Sequence, residues 1–229
     1  MKIGIFGGSF NPPHKMHKNI AKELIKQGYV DNVIFVPTGT KYEYKNNLES
    51  NTTRYAMLTL MIEHEKDLSL SKYELQDRPV YTYETLDHFK RKYPEDDIYF
   101  ICGTDNLSYM NQWKRGDYIL RNYKILIIKR TTDAVEPLLE KYKNYQKNII
   151  VTSIKEETLS STYIREEIKN KKQGTIKKYL DKKVYQYIKE NHLYEEKTEK
   201  KCFSAIKKLS LAKYKAIQKQ DGIRKILLK

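Results

Sequence analysis

The sequence lacks the means for a disulfide framework. Of its 229 residues only Cys102 and Cys202 are cysteine, the first in an apolar run and the second in a charged tail. Such usage fits a reducing compartment. No long hydrophobic run is present either. The opening MKIGIFGG is far too short for a secretory leader, and the longest later run, ILII at 125–128, cannot span a bilayer. These absences exclude secreted mini-domains and integral membrane proteins, and predict a soluble cytoplasmic chain. Also missing are the dinucleotide fingerprint GxGxxG, the phosphate loop GxxxxGK[ST], an internal repeat, and a zinc set, since the paired histidines at 14 and 17 have no further nearby His or Cys.

What is present is a chain of one-domain size, 39% hydrophobic and 12% aromatic, with its apolar residues in strong blocks that promise a packed core. Its net charge of +15 is unevenly spread. From Lys197 to Lys229 eleven Lys and Arg face Glu199 and Asp221, a net of +9 that leaves +6 on residues 1–196. In the tail, Cys202, Ile206, Leu209, Ala212 and Ala216 make a thin apolar stripe among basic residues. The tail reads as an amphipathic helical extension, a solvated Lys-rich helix or a contact for nucleic acid or a partner copy. The division is 1–196 for the main domain and 197–229 for the tail.

Nearly continuous apolar runs at 2–6, 32–37, 97–103, 123–130 and 148–154, with a weaker one at 67–75, fit strands buried on both faces of a parallel sheet. Helical stretches fall near 15–28, 53–64, 82–93, 105–121, 162–170 and 181–191. This alternation predicts an α/β, doubly wound, Rossmann-like sheet with helices on both faces. Residues 38–52 are polar and punctuated, as a surface loop is.

Two segments carry the chemistry. GGSFNPPHKMH (7–17) directly follows the first strand, where Gly7 and Gly8 permit a tight turn and a helix begins near Lys15. His14, Lys15, His17 and Lys18 crowd a helix start, where the dipole disfavours cations unless an anion lies there too. TLSSTYIREEI (158–168) repeats the anomaly: hydroxyls of an N-cap signature with Arg165 in the first turn. Each has a bland reading, a turn with surface histidines and an ordinary Ser-rich cap. Two such helix starts, each after a strand, are harder to assign to accident.

GGSFNPPHKMH followed by LSSTYIR resembles the paired motifs HxGH and ISSTxIR of the nucleotidylyltransferase superfamily. GTDNLSYMNQWKRGDYIL (103–120), PVYTYETL (79–86) and VYQYIKENHLY (184–194) are similar to the bacterial nicotinate-nucleotide adenylyltransferase family. The resemblance covers roughly residues 1–196. It implies adenylyl transfer from ATP, with Mg²⁺, to nicotinate mononucleotide, in the biosynthesis of NAD. It further implies that His14, His17 and Arg165 are catalytic. ATP would be held by Gly7, Gly8, Ser9, Phe10, Lys15, Gly103, Asp105, Ser161 and Thr162. The mononucleotide would meet Thr82, Trp113, Lys41 and Lys45, Trp113 stacking on the pyridine ring. No side chain is assigned to a metal. The chain departs from the family at Met16, where the motif has glycine, and in TKYEYKNN (40–47), where the usual loop carries a PPH[KR] element. An alternative within the enzymes is transfer to nicotinamide mononucleotide, phosphopantetheine or a phosphorylated alcohol, with CTP as another donor; readings of other classes are a nucleotide-binding regulator without turnover, its basic tail contacting nucleic acid, and a module that self-associates through its tail.

Overall fold

A computed structural model describes residues 1–41, 48–130, 134–156 and 159–195. Lys45 and the 197–229 tail, including Cys202, lie outside the described residues.

Six strands form one sheet: β1 (Lys2–Gly8), β2 (Asn32–Pro37), β3 (Leu68–Leu70), β4 (Asp97–Gly103), β5 (Lys124–Arg130) and β6 (Ile149–Glu156). Their order is β3-β2-β1-β4-β5-β6, every pair parallel. This is the doubly wound order, in which the chain winds outward one way from β1 and then the other way from β4. The apolar runs are buried on both faces because helices cover both. Ile3 and Ile5 pack with Leu86, Phe89, Ile119 and Leu120. On β1 and β2, Phe6 stacks on Phe35 with ring centroids 5.4 Å apart.

The covering helices are α1 (Lys15–Lys26), α2 (Asn51–Ile62), α3 (Thr82–Lys92), α4 (Thr104–Tyr109), α5 (Gly116–Asn122), α6 (Glu136–Lys141), α7 (Ser161–Lys169), α8 (Gln173–Tyr179) and α9 (Lys182–Glu190). Caps set several starts: the Ser50 hydroxyl accepts from the Thr53 amide, and the Glu84 carboxylate reaches back to the Tyr81 amide. Residues Met1–Leu193 form one compact unit.

Three differences from the sequence reading have local causes. The expected helix at 105–121 is broken into α4, a 3₁₀ turn at Met110–Gln112 and α5. Arg115 is left-handed there, and the Gly116 amide closes the turn on the Trp113 carbonyl. The weak run at 67–75 is a strand only over Leu68–Leu70. Helices α6 and α8 were not anticipated; α6 spans only six residues with Pro137 in its first turn, and α8 contains Gly174, so neither leaves a clear periodicity.

Candidate active site

β1 and β4 are the neighbours at which the winding reverses, so a crevice opens beyond their carboxyl ends. It is a cleft of about 620 Å³, with Gly7 and Gly8 at the end of β1, Thr82 at the start of α3, and Trp113 and Lys114 in the broken turn. Trp113 is half-buried, its ring edge-on to Phe100 at 6.1 Å. Glycine at 116 is obligatory for this turn: a Cβ there would lie 1.8 Å from the Met110 carbonyl oxygen.

From Gly8 the chain enters the turn that carries the histidines. Phe10 adopts φ 46°, unusual for a bulky residue, and its ring is buried edge-on to His17 at 5.0 Å. Phe10 therefore has only its backbone to offer a ligand. The His14 and His17 rings stack with centroids 3.7 Å apart. The His14 amide donates to Nδ1 of His17 at 3.2 Å, which leaves a neutral His17 with its proton on Nε2. Burial lowers the His14 pKa to about 4, and burial plus the neighbouring His14 holds His17 well below its usual range. The buried Nδ1 of His14 has no partner among the described residues.

The second motif folds onto this turn. Ser160 is the N-cap of α7, accepting from the Tyr163 amide. The Ser161 hydroxyl donates to the Pro12 carbonyl at 2.8 Å, and Arg165 Nη1 donates to the Asn11 carbonyl at 2.7 Å. Arg165 Nη2 also donates to the Thr162 hydroxyl, at 3.0 Å. The two cation-bearing helix starts thus occupy one place.

Not every expected residue points there. Lys15 Nζ donates to the Lys177 and Lys178 carbonyls at the end of α8, and Lys18 pairs with Asp181 at 2.9 Å. Lys41 pairs with Asp77 at 2.7 Å and does not line the cleft. Met16 is half-buried within the first turn of α1. Asp105 lies over the end of β4, so close that a Cβ on Gly103 would sit 2.6 Å from its Oδ1.

One positioning residue escaped the sequence reading. Arg54, fully buried on α2, donates to the carbonyls of Ser9 (2.7 Å), Thr38 (2.6 Å) and Glu49 (2.9 Å) and to Asn51 Oδ1 (2.8 Å). Asn11 Oδ1 in turn accepts from the Glu49 amide. Arg54 thereby ties the histidine turn to the loops after β2. No local pattern marks a helix arginine as buried.

Among the described residues no cluster of three His, Cys, Asp or Glu could hold a metal, and no helix is long and apolar enough to cross a membrane. Residues 5–167 match the family described as cytidylyltransferase-like. A "probable nicotinate-nucleotide adenylyltransferase" of Carboxydothermus hydrogenoformans is 36% identical, over 84% of this chain and 98% of that one. Its namesake from Clostridium botulinum is 38% identical, over 83% and 97%. Among solved structures, a Plasmodium falciparum nicotinic acid mononucleotide adenylyltransferase complexed with NaAD superposes with a TM-score of 0.72, at 22% identity over 84% of this chain and 97% of that one. That last likeness concerns the fold alone.

Proposed function

This chain belongs to the cytidylyltransferase-like family, and from that premise we infer that it is a nicotinate-nucleotide adenylyltransferase of the cytoplasm, joining ATP to nicotinate mononucleotide. The observation that carries the reading is the bonding of Arg165 and Ser161 to the backbone of Asn11 and Pro12, which makes one anion site of two distant motifs.

In this reading the mononucleotide phosphate oxygen attacks the α-phosphorus of ATP in line. The new P–O bond forms as the α–β bridging bond breaks, and pyrophosphate leaves. His17 donates from Nε2 to the reacting α-phosphate, and His14 lies against the same phosphates. Arg165, Ser161 and Thr162 hold the β- and γ-phosphates, while Gly7, Gly8, Ser9 and Phe10 offer backbone. Gly103 and Asp105 border the nucleotide pocket. Trp113 and Thr82 receive the pyridine end. Transfer between phosphates needs no covalent enzyme intermediate, so positioning and preorganised donors supply the catalysis. No described residues form a carboxylate or histidine cluster that would hold magnesium, so the ion would arrive with ATP and would supply charge neutralisation. Lys15 serves the site through α8 instead of through the phosphates. In this reading the tail from 197 is an appendage to catalysis, which the end of the family match at residue 167 supports.

The test is pyrophosphate release with ATP and Mg²⁺, offering nicotinate mononucleotide, nicotinamide mononucleotide and phosphopantetheine in parallel. Turnover fastest with nicotinate mononucleotide is expected, and its loss in His17→Ala with the fold intact. Turnover with phosphopantetheine alone would overturn the acceptor.

A further inference from the structure

A second concavity, of about 760 Å³, shares no lining residue with the catalytic cleft. Its size falls in the range of about 300–1,000 Å³ usual for small-molecule sites. Lys15 at the start of α1, Lys177 on α8 and Leu180 just past the end of α8 form one side. The other side is a face of α9 that presents Lys182, Tyr185 and Lys189 at helical spacing. Val184 and Ile188, on the opposite face of α9, are buried and hold the helix in place. Four ammonium groups meet one carboxylate here, and that one, Glu190, already accepts from the Gln186 amide at 2.8 Å. Lys15 is engaged by the Lys177 and Lys178 carbonyls. Among the described residues Lys177, Lys182 and Lys189 have no carboxylate partner, whereas Lys18 and Lys22 on α1 and Lys183 on α9 each have one. The lysines on these helices are thus left without a counter-charge where they line the concavity.

We propose that this concavity is a second nucleotide site, separate from the catalytic cleft, that takes a nucleoside diphosphate or triphosphate. Lys182 and Lys189 are seven residues apart, about 10 Å along the helix axis, with Tyr185 between them. That spread suits a ligand with charge at more than one place better than a single inorganic anion. Tyr185 is half-buried, and Lys177 Nζ lies 5.6 Å from its ring centroid, so an aromatic surface and a cation stand side by side. Stacking on a tyrosine ring tolerates any base, and the ammonium groups form charge-assisted hydrogen bonds with phosphate oxygens. Leu180 adds an apolar contact for base or sugar. A cationic occupant is disfavoured by the same rim. The proposal depends neither on the acceptor nor on the chemistry assigned to the cleft.

The experiment uses the full chain with ADP as the probe. Trp113→Phe removes the sole tryptophan, and Tyr185→Trp places an indole in the concavity, so emission reports occupancy there and not in the cleft. ADP is expected to quench that emission saturably. In the same background, Lys182→Met combined with Lys189→Met should raise the Kd about tenfold or more. Lys183→Met, which alters a paired lysine of α9 outside the concavity, should leave the Kd unchanged. All three lysines are exposed, and circular dichroism checks that the variants keep the fold. Absence of saturable quenching would overturn the proposal, as would an unchanged Kd in the double lysine variant or an equal loss in Lys183→Met. Pyrophosphate binding as tightly as ADP would overturn the nucleotide assignment by leaving the base no part in recognition. Saturation by single-stranded RNA and by no free nucleotide would overturn it in favour of a polymer.

Discussion

Arg165 donates a 2.7 Å hydrogen bond to the carbonyl of Asn11, joining residues 154 positions apart in the chain. The same guanidinium bonds the Thr162 hydroxyl through its other nitrogen, so its plane is fixed by one contact on each motif. Lysine is a single point charge and cannot reproduce that fork. Arg165→Lys should lower kcat on the order of a hundredfold, with a stability loss of only about 1 kcal/mol. Pyrophosphate-release kinetics beside urea unfolding would check this; a stability loss without a kinetic one would reduce Arg165 to a structural tie.

The histidine stack gives a pH signature. The folded protein binds a proton on His14 only near pH 4, whereas the unfolded chain does so near 6.5. As pH falls from about 6.5 towards 4 the unfolded state gains protons that the folded state refuses, so stability is lost in that window. Over the whole window the linkage is about 3 kcal/mol, and His17 adds in the same direction. Urea midpoints at pH 7.5, 6 and 5 should fall less steeply in His14→Asn than in the parent chain. Identical slopes would contradict the buried neutral imidazole.

Arg54 holds three loop carbonyls from below the site. Arg54→Met leaves those oxygens buried without their donor and should cost roughly 3 kcal/mol or more. Because Ser9 sits in the histidine turn, the KM for ATP should also rise, and Arg54→Lys should restore only part of either. A stable variant with unchanged KM would show that the turn keeps its shape without this tie.

Gly116 lets the broken turn close. A methyl 1.8 Å from a backbone oxygen cannot be accommodated without moving the segment that carries Trp113. Gly116→Ala should cost about 2 kcal/mol or more. It should also red-shift the Trp113 emission and raise the acceptor KM before it affects the KM for ATP.

The sheet was legible because buried parallel strands are written as short apolar runs, and KIGIF, NVIFVP and DIYFICG each pair as expected. The two helix starts that carry His14 and Arg165 were legible because a helix-start signal and the basic residues of a first turn are neighbours in sequence. The same local crowding misled where long side chains were concerned: Lys15 and Lys18 start beside His14 and His17 but end on α8 and Asp181. The cleft wall at 110–116 was read as helix because its composition suits one, while the break depends on contact between the Gly116 and Met110 backbones.

By itself, then, the sequence determined a parallel α/β sheet, the strand-end position of the candidate site, and the residue types gathered at its two helix starts. Each of these follows from periodicity or capping within a dozen residues. Tertiary structure alone decided which of those residues meet: Arg165 with Asn11, Arg54 with three loops, Lys114 with the Tyr81 ring. Such pairings depend on where the chain returns after a hundred residues, and on which donors are buried beside acceptors when it does; no local pattern records either.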